Sequence, residues 1–492
     1  MLNRLVRSLI SSAAAAALCG CAVGPNYVRP TTPVAPAYKE QLGKEQQSQE
    51  GWNPARPADL APRGDWWSVF NDPVLASLEA RVAISNQNVV AAEAAYRQAE
   101  ALVREQRAAL LPAVDLGGGG TRSGGGHGSS GTVISSGAGS VVTGASGSSN
   151  TYRVNANASW EPDIWGRIRR TIEGARGAAQ ASEADLAGAT LSAQATLASD
   201  YFDLRQTDAQ IYLLTEVVDG YRRSLQITQN RFNAGIAPHS DVLQAQTQLA
   251  SAQGDLADLG NNRAAFEHAI AVLVGETPST FSLPADSNWK GVAPEIPAGV
   301  PSTLLQRRPD IAAAERRAAS ASAQIGVQEA AWFPNLTLSA SYGFSAASLG
   351  KLLNVSSSVW SYGASVAQTL FDAGATNARV SEARAAYDQS VAEYRQTVLA
   401  AFQDVEDQLA AQRILATEEG YRRQSAEAGQ LAATMVLNQY KAGQVAYTDV
   451  VTAQATALTA RRAVVQATAV RQTTAVALVQ ALGGGWTAPF KE

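Results

Sequence analysis

From Thr151 to Trp160 the chain alternates strictly, with Tyr152, Val154, Ala156, Ala158 and Trp160 separated by Arg153, Asn155, Asn157 and Ser159. A period of two sets the first group on one face of a β-strand and the second on the other. The same alternation returns at Leu336, Leu338, Ala340, Tyr342 and Phe344, and again at Trp360, Tyr362, Ala364 and Val366. Together with a strand after Pro112, the pattern predicts four strands at about 113–122, 151–161, 335–344 and 358–371. Each has about ten residues, the length that crosses a bilayer when tilted.

Between the strands the period changes. A helix from Asp72-Pro73, with proline at its first position, extends to Leu111 before Pro112 stops it. Proline-free helical stretches run from Trp165 to Ala234 and from Gly374 to Ala442. At 1.5 Å per residue each is a rod of about 105 Å, too long for a globular domain. The turns at 235–240 and 443–448, opened by Gly235 and Gly443, end the rods, and new helices start near Ser240-Asp241 and Thr448-Asp449. Ala, Gln, Thr and Ser dominate the surfaces of these hairpins, which suits close side-by-side packing of many helices.

A shift of 208 residues superimposes the two halves. Gly166 falls on Gly374, Arg205 on Arg413, Gly235 on Gly443, Asp241 on Asp449 and Gly275 on Gly483. Pro112 and Pro334 differ by 222, so the first copy has 14 extra residues, placed in the Gly/Ser-rich stretch 117–150. The resulting organisation is a leader over 1–20, an N-terminal segment 21–72, a first repeat 73–280, a linker 281–301, a second repeat 302–485 and a tail 486–492.

Arg4 and Arg7 before the apolar run Leu9 to Leu18 have the layout of a secretory signal, and Leu18-Cys19-Gly20-Cys21 resembles a lipobox. Cleavage there makes Cys21 the acylated first residue, an anchor that does not span. Beyond this leader no apolar run of about 18 residues exists, so the mature chain can span only as strands. Without Arg4 and Arg7 the remainder has 37 basic and 43 acidic residues, and no basic stripe invites nucleic acid. Enzyme chemistry has no visible carrier either. His127, His239 and His268 are scattered, Gly117 to Gly120 lack the Lys-Ser/Thr of a phosphate loop, and Glu418-Glu419 point apart on a helix.

Four strands cannot close a barrel, and open edges in lipid leave backbone groups unpaired, so the chain must oligomerise. Two copies give eight strands and a filled interior; three give twelve and a lumen. The pattern alone does not choose. Trp160, Trp165, Trp332 and Phe333 flank the strands where an interfacial aromatic belt forms.

Several segments resemble the TolC-like outer-membrane factors, specifically the NodT-type lipoproteins of resistance-nodulation-division pumps. Cys21 to Tyr27 looks like the mature N-terminus of that family, and Trp66-Trp67 with Phe70 and Asp72-Pro73 like its next landmark. The most specific match is Leu304 to Ile311, then Glu315, Ile325-Gly326 and Phe333-Pro334; Ser159 to Arg170 and Ala481 to Trp486 also fit. The resemblance covers essentially the whole mature chain.

It implies a mixed fold: a homotrimer whose four strands per chain form a 12-stranded transmembrane β-barrel, continued by a long α-helical barrel as periplasmic tunnel and a mixed equatorial domain. It implies passive conduction of small molecules out of the periplasm, with a periplasmic adaptor, an inner-membrane proton-driven transporter and outer-membrane lipid as partners. No cofactor is implied beyond the lipid on Cys21. The adaptor is expected at the tips, near Arg231, Gly235, Asp241, Tyr440 and Gly443. At the inner constriction, relatives carry a bulky apolar residue and an acidic one, where this chain has Thr448 and Thr452; Asp449 is the nearest carboxylate. Asp241 and Asp449 also suit helix capping, since a carboxylate in a first turn is stabilised by the macrodipole. A protein-export duct of a type I system, or a non-conducting periplasmic scaffold held by Cys21, are the alternatives.

Overall fold

A computed structural model describes residues 22–32, 35, 38–40, 64–124, 132–136, 139–143, 148–287, 289, 291–294, 296 and 307–484. Cys21, the leader, Leu304 to Gln306 and the tail 486–492 lie outside the described residues. The chain forms two compact units, one from residues up to 29 with 99–179 and 317–390, the other from 30–98, 180–316 and 391 onward. It passes between them five times, once after Arg29 and four times inside a helix.

In the first unit, β1 (Ala113–Ser123), β4 (Ser149–Trp160), β5 (Asn335–Ala346) and β6 (Ser358–Ala367) form one antiparallel sheet in that order. The register keeps the alternation in phase across all four strands. Leu116 lies opposite Ala156, Ala156 opposite Tyr342 and Tyr342 opposite Trp360. On the other face Asp115 lies opposite Asn157, Asn157 opposite Ser341 and Ser341 opposite Ser361. The expected strands are thus present with bounds within a few residues, apart from the last. That strand ends at Ala367 rather than 371, because the Asp372 carboxylate caps the next helix by accepting from the N–H groups of Gly374 and Thr376. Leu370 and Phe371, which read as strand, are left exposed in the connection. Within the Gly/Ser-rich stretch a short antiparallel ribbon forms, β2 (Thr132–Ser136) with β3 (Gly139–Thr143).

Residues 22–26 dock against this unit. Val23 N–H donates to the Trp165 carbonyl, and the guanidinium of buried Arg170 donates to the carbonyls of Val23 and Gly24 and to Asn26 Oδ1. Gly24 has φ +95°, and a Cβ there would lie 2.4 Å from the Gly326 Cα, so backbone meets backbone only because both are glycine.

The helix expected over 73–111 is two helices, α1 (Pro73–Ser85) and α2 (Gln87–Ala108). Asn86 makes the break: its carboxamide oxygen accepts from the N–H groups of Asn88 and Val89, and its Nδ2 donates to the Leu273 carbonyl. A side chain that caps inside an apolar-periodic stretch ends one helix and starts another without proline or glycine. The long rods are α3 (Arg167–Asn233) and α6 (Ala375–Lys441), 67 residues each and so about 100 Å. They return as α4 (His239–Leu273) and α7 (Tyr447–Ala481), with α5 (Pro309–Glu329) leading into β5.

All four helix ends at the repeat positions close in the same way. Gly235, Gly443, Gly275 and Gly483 have φ between +70° and +88°. At each, two N–H groups past the end turn back onto carbonyls of the last turn, as in Ile236 onto Arg231 and Gln444 onto Gln439.

The second unit has its main core where α1 meets the middle of α3 and the ends of α4 and α7. Leu75, Leu78 and Val82 pack with Trp66, Leu197, Tyr201, Phe202, Ile270 and Val476. Polar anchors surround it. Asp72 caps α1 through Val74 and Leu75 and accepts from the Tyr201 hydroxyl at 2.6 Å. Buried Asp208 accepts from Arg205 at 3.1 Å and Arg263 at 2.7 Å, while both arginines donate onward to the carbonyls of Pro284 and Leu283, fastening the linker.

Glu79 is the discordant member of the α1 core stripe. It is 0% exposed and neither carboxyl oxygen has a hydrogen-bond partner, so burial pushes its pKa from 4.5 up to about 9. The folded state therefore holds a proton that the unfolded chain loses first. Stability is full below the ordinary carboxylate range and declines as pH rises from about 4.5 to about 9. The thermal midpoint of the native protein should be lower at pH 8 than at pH 5, and Glu79→Gln should raise the pH 8 midpoint, reflecting a stability gain on the order of a few kcal/mol. Equal pH dependence in the two proteins would contradict this account.

Candidate functional site

The expected site residues fall at the turn between α3 and α4 and the turn between α6 and α7, both in the second unit. Arg231 closes α3 and reaches the other hairpin. Its Nη1 donates to the carbonyls of Tyr440 at 2.7 Å and Lys441 at 3.3 Å, in the last turn of α6, where a cation also meets the negative end of the macrodipole. Its guanidinium carbon stands 4.5 Å over the centre of the Tyr440 ring. The Tyr440 hydroxyl donates to Asp241 Oδ2 at 3.3 Å, so one ring is clasped by an arginine and a carboxylate from the first hairpin. Burial, then the Asp241 charge, raise the Tyr440 pKa, with Arg231 opposing. Tyr447 packs edge-on at 5.2 Å and is pushed up to about 12 by burial.

Arg231, Asp241 and Tyr440 thus converge, and they tie one hairpin to the other. Tyr440 is 2% exposed within the chain, so its ring is occupied by this tie rather than offered outward. Gly235 and Gly443 shape the two turns, and the exposed apolar side chain at the first is Ile236. Thr448, Asp449 and Thr452 stand apart from the cluster on exposed positions of α7. Asp449 Oδ2 accepts from the Ala446 N–H at 3.2 Å, capping its own helix. Thr452 turns its hydroxyl onto the Thr448 carbonyl at 3.0 Å. Both threonines line a groove of about 630 Å³ between α4 and α7 with Leu243, Thr247, Ser251 and Val451.

Sequence reasoning missed Tyr447 and the Asp208 network. A signal for the second was present: Arg263 and Arg471 share the 208-residue spacing, and each pairs with a buried carboxylate of the preceding rod, Asp208 and Glu419. Among the described residues no three of His, Cys, Asp and Glu converge as metal ligands, and no helix is long and apolar enough to cross a membrane.

The sheet is the second functional element. Its apolar face lies open: Val114 is 70%, Leu116 80%, Tyr342 58% and Val366 69% exposed. The outer edges of β1 and β6 have no strand partner among the described residues.

Comparison with known proteins gives a consistent picture. The family model described as outer membrane efflux protein matches residues 80–276 and 300–484. The probable efflux pump outer membrane protein TtgC of Pseudomonas putida KT2440 is 30% identical over 87% of this chain and 85% of its own length. Nodulation protein T of Rhizobium leguminosarum bv. trifolii is 28% identical over 86% of each. Among solved structures, the outer-membrane channel OprN has a TM-score of 0.80 at 29% identity, covering 95% of this chain and all of that one.

Proposed function

This chain belongs to the outer membrane efflux protein family, a family of channels rather than enzymes, and on that premise we propose that it is the exit duct of a tripartite efflux pump. Three copies close a 12-stranded barrel, and α3 and α6, which start within eight residues of β4 and β6, form the tunnel wall. The observation that supports this best is the sheet: one continuous apolar face, one polar face and two free edges are what a barrel segment needs and what a soluble scaffold does not. Small molecules pass down the lumen without chemistry, delivered by a periplasmic adaptor and a proton-driven inner-membrane transporter. Acyl chains on Cys21 anchor the protein, and the docked residues 22–26 keep that anchor beside the strand ends.

In this reading the tie of Arg231 and Asp241 to Tyr440 holds the tips of the two hairpins together and is what must break for them to separate. Thr448, Asp449 and Thr452 remain candidates for the tightest passage, and the exposed surface around Gly235, Ile236 and Gly443 is proposed for adaptor docking.

Cys21→Ser should abolish incorporation of labelled palmitate; label retained on that variant would refute the anchor. Arg231→Ala removes two carbonyl contacts and the ring contact. A loss of about 1–3 kcal/mol shifts a closed–open equilibrium by about 5- to 150-fold, so single-channel conductance should rise, with Tyr440→Phe giving a smaller change. Unchanged currents with a lower melting temperature would show that Arg231 only caps α6.

A further inference from the structure

The two free edges of the sheet also contain the information needed to align one copy with the next. We propose that β6 of one protomer pairs with β1 of its neighbour in a single register, in which Tyr362 lies opposite Gly118 and Trp360 opposite Gly120. The proposal rests on the barrel reading above and adds to it which residues meet.

The first constraint is facial. The apolar face carries the even-numbered residues of both edge strands, Val114, Leu116, Gly118 and Gly120 on β1 and Trp360, Tyr362, Ala364 and Val366 on β6. A pairing that mixed even with odd positions would turn one strand's apolar set towards the lumen. Only shifts by two residues are therefore allowed.

The second constraint is tilt. A line of paired residues crosses the sheet from Ala113 through Ser159 and Ser339 to Gly363. In an untilted barrel Gly363 would meet the neighbour's Ala113 again. Strand tilts of about 35–45° require the line to climb by about four or about six residues per protomer in a ring of about twelve strands, given a rise of about 3.3 Å and a spacing of about 4.8 Å. The climb must run forward, to Gly117 or Gly119. Backward shifts would set Gly363 opposite Ala109 or Arg107, before β1 begins, and leave most of both edges unpaired in lipid.

The third constraint separates these two. With Gly363 opposite Gly117, the strands are flush: Ala367 meets Ala113 and Ser358 meets Arg122, so every residue of β6 has a partner in β1. With Gly363 opposite Gly119, Ser358 falls beyond Ser123, and Trp360 lies against the charged Arg122 on the lipid face.

Side-chain size agrees with the flush register. Trp360 and Tyr362 stack on each other at 5.7 Å and are 69% and 79% exposed, large surfaces that nothing in their own chain covers. Gly118 is the open gap on the neighbouring edge, with nothing nearer than 3.9 Å to where its Cβ would be, and Gly120 offers no side chain to clash with Trp360. Inside the chain the same device is already in use, since the Tyr152 ring on β4 lies 3.1 Å from where a Gly120 Cβ would be. A ring over a cross-strand glycine restores the packing that the glycine lacks.

Cysteine cross-linking reads the register directly. Ser361 faces the lumen, and in the flush register its neighbour's partner is Gly119; in the adjacent registers it is Gly117 or Thr121. Directly opposite residues are within disulfide reach, whereas diagonal ones at about 7–8 Å are not. Within one chain β1 and β6 are separated by two strands, so any bond formed is between protomers. Three double variants, Ser361→Cys with Gly117→Cys, Gly119→Cys or Thr121→Cys, are purified in detergent, sized by light scattering and oxidised. The Gly119→Cys pair should give covalent trimer, in about ten-fold excess over the other two. Trimers that cross-link best through position 117 or 121, or through none, overturn the register while leaving the barrel intact. Monomers before oxidation overturn the barrel reading itself.

Discussion

A strand in hydrocarbon has no water to bond with, so every N–H and C=O on it must meet another strand. On the barrel reading proposed above, that constraint organises this molecule. Four strands satisfy three of the interfaces they need, between β1 and β4, β4 and β5, and β5 and β6, and leave two edges over. In an aqueous protein such edges are blunted by charge, proline or a bulge. Here the edges are ten and eleven residues long, without proline, and one is rich in glycine. The apolar face that would be a liability in water is continuous in register across all four strands.

The rest of the chain solves a different problem, that of building long walls from slender helices. Alanine and small polar residues allow close approach, but they bury little area, so the hairpins rely on their ends and on scattered anchors. The four glycine-closed helix termini satisfy their carbonyls locally. Buried ionic clusters, Asp208 with Arg205 and Arg263, and Glu419 with Arg423 and Arg471, join each rod to its neighbours. Leaving the buried charge of Arg205, Asp208 or Glu419 alone would cost more than the pair gains, so such clusters favour one arrangement over others.

Duplication made two hairpins of one plan, and the tips show where they diverged. Asp241 and Asp449 are equivalent by the 208-residue repeat, yet Asp449 caps its own helix and Asp241 accepts from Tyr440 of the other hairpin. Arg231 has Gln439 as its counterpart, so only one hairpin carries the clasp. The strands, the rods and the turning glycines were legible in the sequence because a period of two, a long absence of proline and a repeated glycine each have one physical meaning. The break at Asn86 was not, since a capping asparagine in an apolar-periodic stretch looks like any exposed polar residue. Nor was the early end of β6, where Leu370 and Phe371 continue the apolar run but Asp372 has already begun the next helix. The residues expected at the tips fall at the two helix turns, but the contact of Arg231 with Tyr440 joins positions 209 apart in the chain, which no local pattern encodes.

The central claim is that free strand edges force closure into a conducting ring. Purified full-length protein in detergent, sized by light scattering and then added to planar lipid bilayers, tests it most directly. The account predicts a trimer that produces discrete, long-lived current steps. A monomer that leaves the bilayer silent would contradict it.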